Sequence, residues 1–128
     1  MKTLARVLYV EDEPDIQAVA RVALETLGGF NVKICSSGEE ALREVEAFAP
    51  DLVLLDVMMP GMDGPGTLAA LRAMPEYDRI PVVFMTAKVQ PNEVAHYTSL
   101  GALDVVPKPF NPMTLADQLR GIWNLHHG

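Results

Sequence analysis

Five short apolar runs, each followed by a stretch with helical spacing, constrain this chain more than any other feature. The runs lie in RVLYV, FNVKIC, DLVLL, IPVVFM and LDVVP. Strand-like runs that alternate with helix-like stretches imply parallel strands joined by crossover helices. At 128 residues the chain is long enough for one well-filled core and too short for two.

The punctuation between the runs sets the expected boundaries. The first strand is read over Ala5 to Val10, and a helix from near Pro14 with Asp12 or Glu13 close to its cap. Ile16, Val19, Ala20, Ala23, Leu24 and Leu27 follow helical spacing, and Gly28-Gly29 stops it. A second strand covers Phe30 to Cys35. Ser36 or Ser37 then caps a helix whose first turn carries Glu39 and Glu40, where the helix dipole favours acids. Pro50 closes that unit. Asp51 to Asp56 is the most strand-like segment, with the continuous apolar character of a strand covered on both faces. The turn-rich PGMDG follows, then a helix over Pro65 to Met74, a strand over Ile80 to Met85, and a helix within Gln90 to Leu100 ended by Gly101. The fifth strand is read over Leu103 to Val106. The last helix is read from Asn111-Pro112, with Met113, Leu115, Leu119, Ile122 and Trp123 on its apolar face.

Polar residues stand where four of the five strands end: Glu11 and Asp12, Asp56, Thr86 and Lys108. In an open parallel sheet the carboxyl ends share one edge, where ligands bind. Three acids, a hydroxyl and an amine would therefore meet there. Hard carboxylate oxygens in this number suit magnesium, or manganese in its place. Carboxylates packed together raise one another's pKa unless a cation relieves them. Asp56 ends a buried run, VLL, which is costly for a charge without a partner, and a carboxylate so placed can act as a nucleophile. Lys108 offers a compact charge with three donors. Thr86 offers a hydroxyl, and small Ala87 lets backbone approach a phosphate. The competing bland readings are a solvated helix start for Glu11-Asp12-Glu13, a loop-capping acid for Asp56, a snorkelling surface amine for Lys108 and an ordinary strand residue for Thr86. The Lys108-Pro109 bond is a candidate for the cis form.

Composition removes several function classes. Hydrophobic residues are 49% and charged residues 21%, in the range of globular proteins. No apolar run approaches the ~20 residues of a membrane span, and MKTLARVLYVEDE is too short in its apolar part for a signal peptide. A cytoplasmic location and no membrane insertion are expected. The net charge of -7 argues against direct nucleic-acid binding. Cys35 is the single cysteine, so no internal disulfide forms, and its strand context reads as a small buried apolar residue.

Together, VEDE, LLDVMMPGMDG, MTAK and VPKPF resemble the receiver domain of two-component response regulators, over nearly the whole chain. The resemblance implies one receiver domain over residues 1–128, built as a flavodoxin-like doubly wound five-stranded parallel sheet of order 2-1-3-4-5 with five helices. It implies that Asp56 is the phosphoacceptor, that Glu11 and Asp12 bind Mg2+ with Asp56 and the main-chain carbonyl of Met58, and that Thr86 and Lys108 are the switch hydroxyl and the lysine. The implied donor is a sensor histidine kinase or histidine phosphotransfer protein, and slow hydrolysis of the acyl phosphate follows.

The chain departs from the family pattern at Val105, where receivers commonly carry a tyrosine or phenylalanine three residues before the lysine. The usual coupling of hydroxyl to ring then lacks its ring. Stiff Val105 is expected to stay inside, leaving the loop and fourth helix to carry the change. Pro107 also removes a donor near the strand end. By the same resemblance, Met58 and Lys88 occupy positions that in this family flank the path of attacking water, and apolar Met58 cannot orient it. Downstream protein binding is expected on the face of helix four, strand five and helix five. Tyr97 and Trp123 are possible anchors there, though packing on the sheet is the favoured role for Trp123. His96 lies outside the pocket. His126 and His127 read as a frayed end or an expression remnant rather than a metal site.

Two other classes compete. A phosphatase or transferase of the haloacid-dehalogenase type places a second aspartate two residues after its nucleophile; here that place holds Met58, which transfers no proton. A noncatalytic receiver-like interaction module would keep the fold without the full set of side chains. A chain that stops after the fifth helix leads to the expectation of a free-standing single-domain regulator rather than a receiver from a hybrid kinase.

Overall fold

The computed structural model describes residues 2–127, the side chain of His127 excepted. Among the described residues, five parallel strands form one sheet. They are β1 (Arg6–Val10), β2 (Asn31–Cys35), β3 (Leu52–Asp56), β4 (Val82–Thr86) and β5 (Asp104–Pro107), in the order β2-β1-β3-β4-β5. The expected architecture is therefore observed. Crossovers run through α1 (Pro14–Arg21) with its π-helical continuation (Val22–Leu27), α2 (Gly38–Phe48), α3 (Gly64–Arg72) and α4 (Pro91–Ser99), and α5 (Leu115–His127) closes the fold. Every residue of β3 and β4 is buried, because helices cover both faces.

Two apolar clusters flank the sheet. One gathers Val7, Tyr9, Leu54, Val83 and Met85 under the first helix and α5; the other gathers Leu8, Val53, Leu55, Val82 and Phe84 under α2, α3 and α4. Alternate residues along each strand face opposite layers, so one strand feeds both. Cys35 is buried, and its thiol is pushed up to about 12, first by burial and then by the charge of Glu40. That supports its structural reading.

Local signals explain most boundaries. Ser37 caps α2 by accepting the Glu40 N–H at 3.1 Å, and Asp63 caps α3 by accepting the Gly66 N–H at 2.8 Å. Gly64 begins α3 where a Cβ would lie 2.7 Å from the Asp56 carbonyl oxygen, so the loop after β3 folds tightly back onto the strand end.

Several sequence expectations are corrected. Val19 and Leu27 do not pack inward; they are 45% and 50% exposed, while Ala20, Ala23 and Leu24 face the core. Val19 lies on the outer side of regular α1, while the π-helical turns from Val22 to Leu27 hold extra residues per turn and rotate Leu27 off the inward face. Gly28, not Leu27, then meets α5, where a Cβ would stand 2.7 Å from that of Ala116. Gly28 is itself right-handed; Gly29 carries the positive φ of 75°. The last helix starts at Leu115 after a turn, so Met113 lies outside it and is exposed. Tyr97 is buried and meets Phe84 edge-on at 5.4 Å, which removes it as an exposed anchor, whereas Trp123 is buried in the core as its favoured packing role expected and donates its indole N–H to the Lys2 carbonyl at 3.0 Å.

Candidate functional site

The carboxyl ends of β1, β3, β4 and β5 bring the predicted residues to one edge. Val10 pairs with Leu55 and Asp56 with Met85, so Glu11, Asp12, Asp56 and Thr86 follow neighbouring strand ends. Thr86 pairs with Pro107, which sets Lys108 beside them.

Glu11, Asp12 and Asp56 each offer a carboxylate oxygen, and these atoms lie within 4.8 Å of one another. Glu11 is completely buried, Asp56 nearly so and Asp12 half-buried. Lys108 reaches in from the β5 side and donates to Glu11 Oε1 at 2.8 Å and to Asp56 Oδ2 at 3.2 Å. Its own side chain is 21% exposed. The Lys108-Pro109 bond is cis, as the sequence suggested.

The electrostatics reflect one cation shared among crowded anions. Burial first, then the charge of Glu11, raises the Asp56 carboxyl to about 6, with Lys108 pulling the other way. Burial works against the charge of Lys108, but its hydrogen bond to Glu11 and the charges of Asp56 and Glu11 outweigh that, so its pKa rises. One lysine thus leaves the cluster negative. A divalent cation fits this donor set: three hard-oxygen carboxylates are close enough to face a common centre, and their repulsion is only partly relieved.

Thr86 is buried at the same edge, and its hydroxyl accepts the Lys88 N–H at 3.1 Å. Ala87 follows it, exposed at the mouth. Met58, two residues beyond Asp56, is 67% exposed. Val105 is half-buried opposite Phe84 in β4. Beside Lys108 opens a cleft of about 270 Å3, lined by Asp15, Ile16, Val19, Pro109 and Phe110.

Sequence reading missed two groups. Tyr9 is buried two residues before Glu11 on the same face of β1, and its hydroxyl donates to Glu11 Oε1 at 3.2 Å. Burial, then the charge of Glu11, holds that hydroxyl well above the ordinary phenol range, so it stays a donor. The period-2 alternation of a strand could have flagged this pair. Asp51, at the opposite sheet edge, accepts the N–H groups of Ala5 and Arg6 and pairs with Lys2 at 2.8 Å. Nothing in its sequence context distinguishes it from an ordinary strand-flanking acid.

Residues 7–120 match the family model described as response regulator receiver domain. The chain is 37% identical over 115 residues to the DNA-binding response regulator MtrA of Mycolicibacterium smegmatis, covering 90% of this chain and 49% of that protein. It is 38% identical over 116 residues to the transcriptional regulatory protein YvrH of Bacillus subtilis, covering 91% and 48%. The chain thus spans about half the length of these curated relatives. Among solved structures, the chemotaxis response regulator CheY4 of Vibrio cholerae superposes with a TM-score of 0.85 at 31% identity, over 94% of this chain and 99% of that one. The N-terminal domain of a response regulator receiver protein from Methanoculleus marisnigri superposes with a TM-score of 0.74 at 37% identity, over 98% and 99%.

Proposed function

From the premise that this chain belongs to the receiver domains of two-component response regulators, we propose that it accepts a phosphoryl group on Asp56 from a histidine of a sensor kinase or phosphotransfer protein. The observation that carries this reading is the Lys108 amine 3.2 Å from the Asp56 carboxylate, inside a cluster of three acids at the carboxyl edge of the sheet.

In the proposed step an Asp56 carboxylate oxygen attacks phosphorus. The new O–P bond forms as the N–P bond to the imidazole breaks. The electron pair returns to the ring nitrogen, and the histidine leaves neutral or protonated by solvent. Little covalent work falls to the protein, which positions groups and neutralises charge. Lys108 exchanges part of its pairing with Glu11 and Asp56 for a phosphoryl oxygen. Thr86 gives up its contact with the Lys88 N–H and donates to another, and the Ala87 N–H is close enough along the chain to serve a third. Glu11, Asp12 and Asp56, with the Met58 carbonyl, would hold Mg2+ or Mn2+. When bound, that ion supplies positive charge that relieves the acids and draws electron density from the phosphoryl oxygens.

The apolar cleft beside Lys108 gives the donor protein a surface next to the reacting carboxylate. The downstream partner is proposed to bind at α4, β5 and α5. With Tyr97 and Trp123 buried, its contacts fall to exposed residues such as Leu100 and Leu125. MtrA is named a DNA-binding response regulator, but the net charge of -7 gives this chain no basic footprint. Nucleic-acid contact is therefore not part of the proposal. Exposed Met58 offers no hydrogen bond to an attacking water, so hydrolysis of the acyl phosphate should be slow, and no slower in Met58→Asn.

The test is labelling by a small phosphodonor such as acetyl phosphate, read as one added phosphoryl group by intact-mass spectrometry. Labelling that needs Mg2+ and vanishes in Asp56→Ala supports the reading. Absence of labelling in the parent protein, with the fold intact, leaves a noncatalytic interaction module.

A further inference from the structure

Glu11 Oε1 accepts two hydrogen bonds, from Lys108 Nζ at 2.8 Å and from the Tyr9 hydroxyl at 3.2 Å, and Glu11 Oε2 accepts the Glu13 N–H at 3.2 Å. Both residues are fully buried. The Tyr9 ring packs with Leu54 and Met85 in the core, and its hydroxyl also lies 3.8 Å from Met85 Sδ, one residue before Thr86. A phenylalanine would fill the same space with no polar atom to satisfy. The hydroxyl reaches Glu11 from within the buried core.

We propose that Tyr9 is a positioning residue for the acid cluster: its hydroxyl fixes the rotamer of Glu11 so that the carboxylate faces Asp12 and Asp56 and offers Lys108 a second seat. This rests on the reading of the site given above. A carboxylate held by a donor from the core loses less freedom when a cation arrives, because its orientation is already set. The same bond spreads the charge that Lys108 would otherwise satisfy alone, so the amine leaves Glu11 more readily for a phosphoryl oxygen.

The experiment compares the parent protein, Tyr9→Phe, Glu11→Asp and the double variant. Phenylalanine preserves the ring and its packing. Aspartate keeps a carboxylate in the cluster but withdraws it by one methylene from the hydroxyl. Mg2+ affinity is measured by isothermal titration calorimetry without any phosphodonor, and labelling by acetyl phosphate is followed against Mg2+ concentration.

Tyr9→Phe is expected to weaken Mg2+ binding about three- to tenfold, the value of one hydrogen bond. The half-saturating Mg2+ for labelling should rise by the same factor, with the rate at saturation held within about twofold. In the Glu11→Asp background the same substitution should change affinity by less than about 1.5-fold, because the contact is already gone. Equal Mg2+ affinity in the parent and Tyr9→Phe overturns the proposal. So does an equal loss in both backgrounds, which would make Tyr9 a core residue only. A parent protein that binds no Mg2+ and takes no label sinks the functional reading, and the role of Tyr9 with it; a parent that does both beside an unchanged Tyr9→Phe sinks only the latter.

Discussion

Lys108 makes its shorter ion pair, 2.8 Å, with Glu11. Asp56, the proposed phosphoacceptor, is thus not the lysine's tightest partner at rest. An amine already divided between two anions needs only a small movement to reach a third, whereas one locked into a single bidentate contact would have to be pulled out of it.

Stability without metal should depend on pH through Asp56. Its carboxyl is raised from 3.8 to about 6 in the folded state. A raised group favours folding below its unfolded pKa, and that contribution is lost as pH rises through about 6. In EDTA, Asp56→Asn should exceed the parent by up to about 3 kcal/mol at pH 7.5, with the difference closing toward pH 4. Denaturant unfolding at several pH values measures this. A difference that stays constant across the range contradicts it. Added Mg2+ should narrow the gap at neutral pH.

Lys108→Met keeps the aliphatic stem and removes the charge. Glu11 and Asp56 then lack their cation, and the metal-free protein should lose about 1–3 kcal/mol, less than a fully buried pair because the amine is partly solvated. The stabilisation by saturating Mg2+ should grow in the variant. Thermal unfolding with and without Mg2+ tests this, and an equal gain in both proteins would count against it.

Asp51→Ala should separate stability from chemistry. It strands the Ala5 and Arg6 N–H groups at the edge opposite the site and should cost about 2–3 kcal/mol. Burial raises the pKa of Asp51, but its hydrogen bonds with Lys2, Arg6 and Ala5 outweigh that and lower it overall. The stabilisation is therefore present above the ordinary aspartate range and lost as pH falls through the depressed value, the reverse of Asp56. Labelling rates measured below the melting range should match the parent; a large drop would place Asp51 in the reaction after all.

Val105 should keep its χ1 when a phosphoryl mimic such as beryllofluoride occupies the site. It is half-buried against the cluster that includes Phe84, and Tyr97 of α4 already packs edge-on against that ring. The Thr86 hydroxyl should leave the Lys88 N–H, and the displacement should fall on Ala87 to Gln90 and on α4. Crystal structures with and without the mimic decide the matter; a flip of Val105 coupled to Thr86 refutes it.

What could be read without coordinates follows a physical divide. DLVLL announced β3 because a strand covered on both faces has no polar alternation to confuse it. Ser37 announced the start of α2 because a cap is a local bond; the like cap at Asp63 went unread inside the turn-rich PGMDG. The strand-end position of Glu11, Asp56, Thr86 and Lys108 followed from topology alone. The relations that escaped are those that depend on which atom meets which. Nothing in VEDE says that Lys108 sits nearer Glu11 than Asp56, or that Tyr9 ends on the same oxygen. The helical spacing of Leu27 misled because it assumed an unbroken 3.6-residue period, and Asn111-Pro112 misled because a turn precedes Leu115.

The widened turns from Val22 to Leu27 also bear on how such a chain tolerates change in length. A segment wound at more residues per turn can shed one residue and relax to ordinary winding, leaving the pieces on either side docked as before. Shortening the chain by one position there should be absorbed on the spot, whereas the same deletion inside α2 would swing every later side chain of that helix about 100° around its axis.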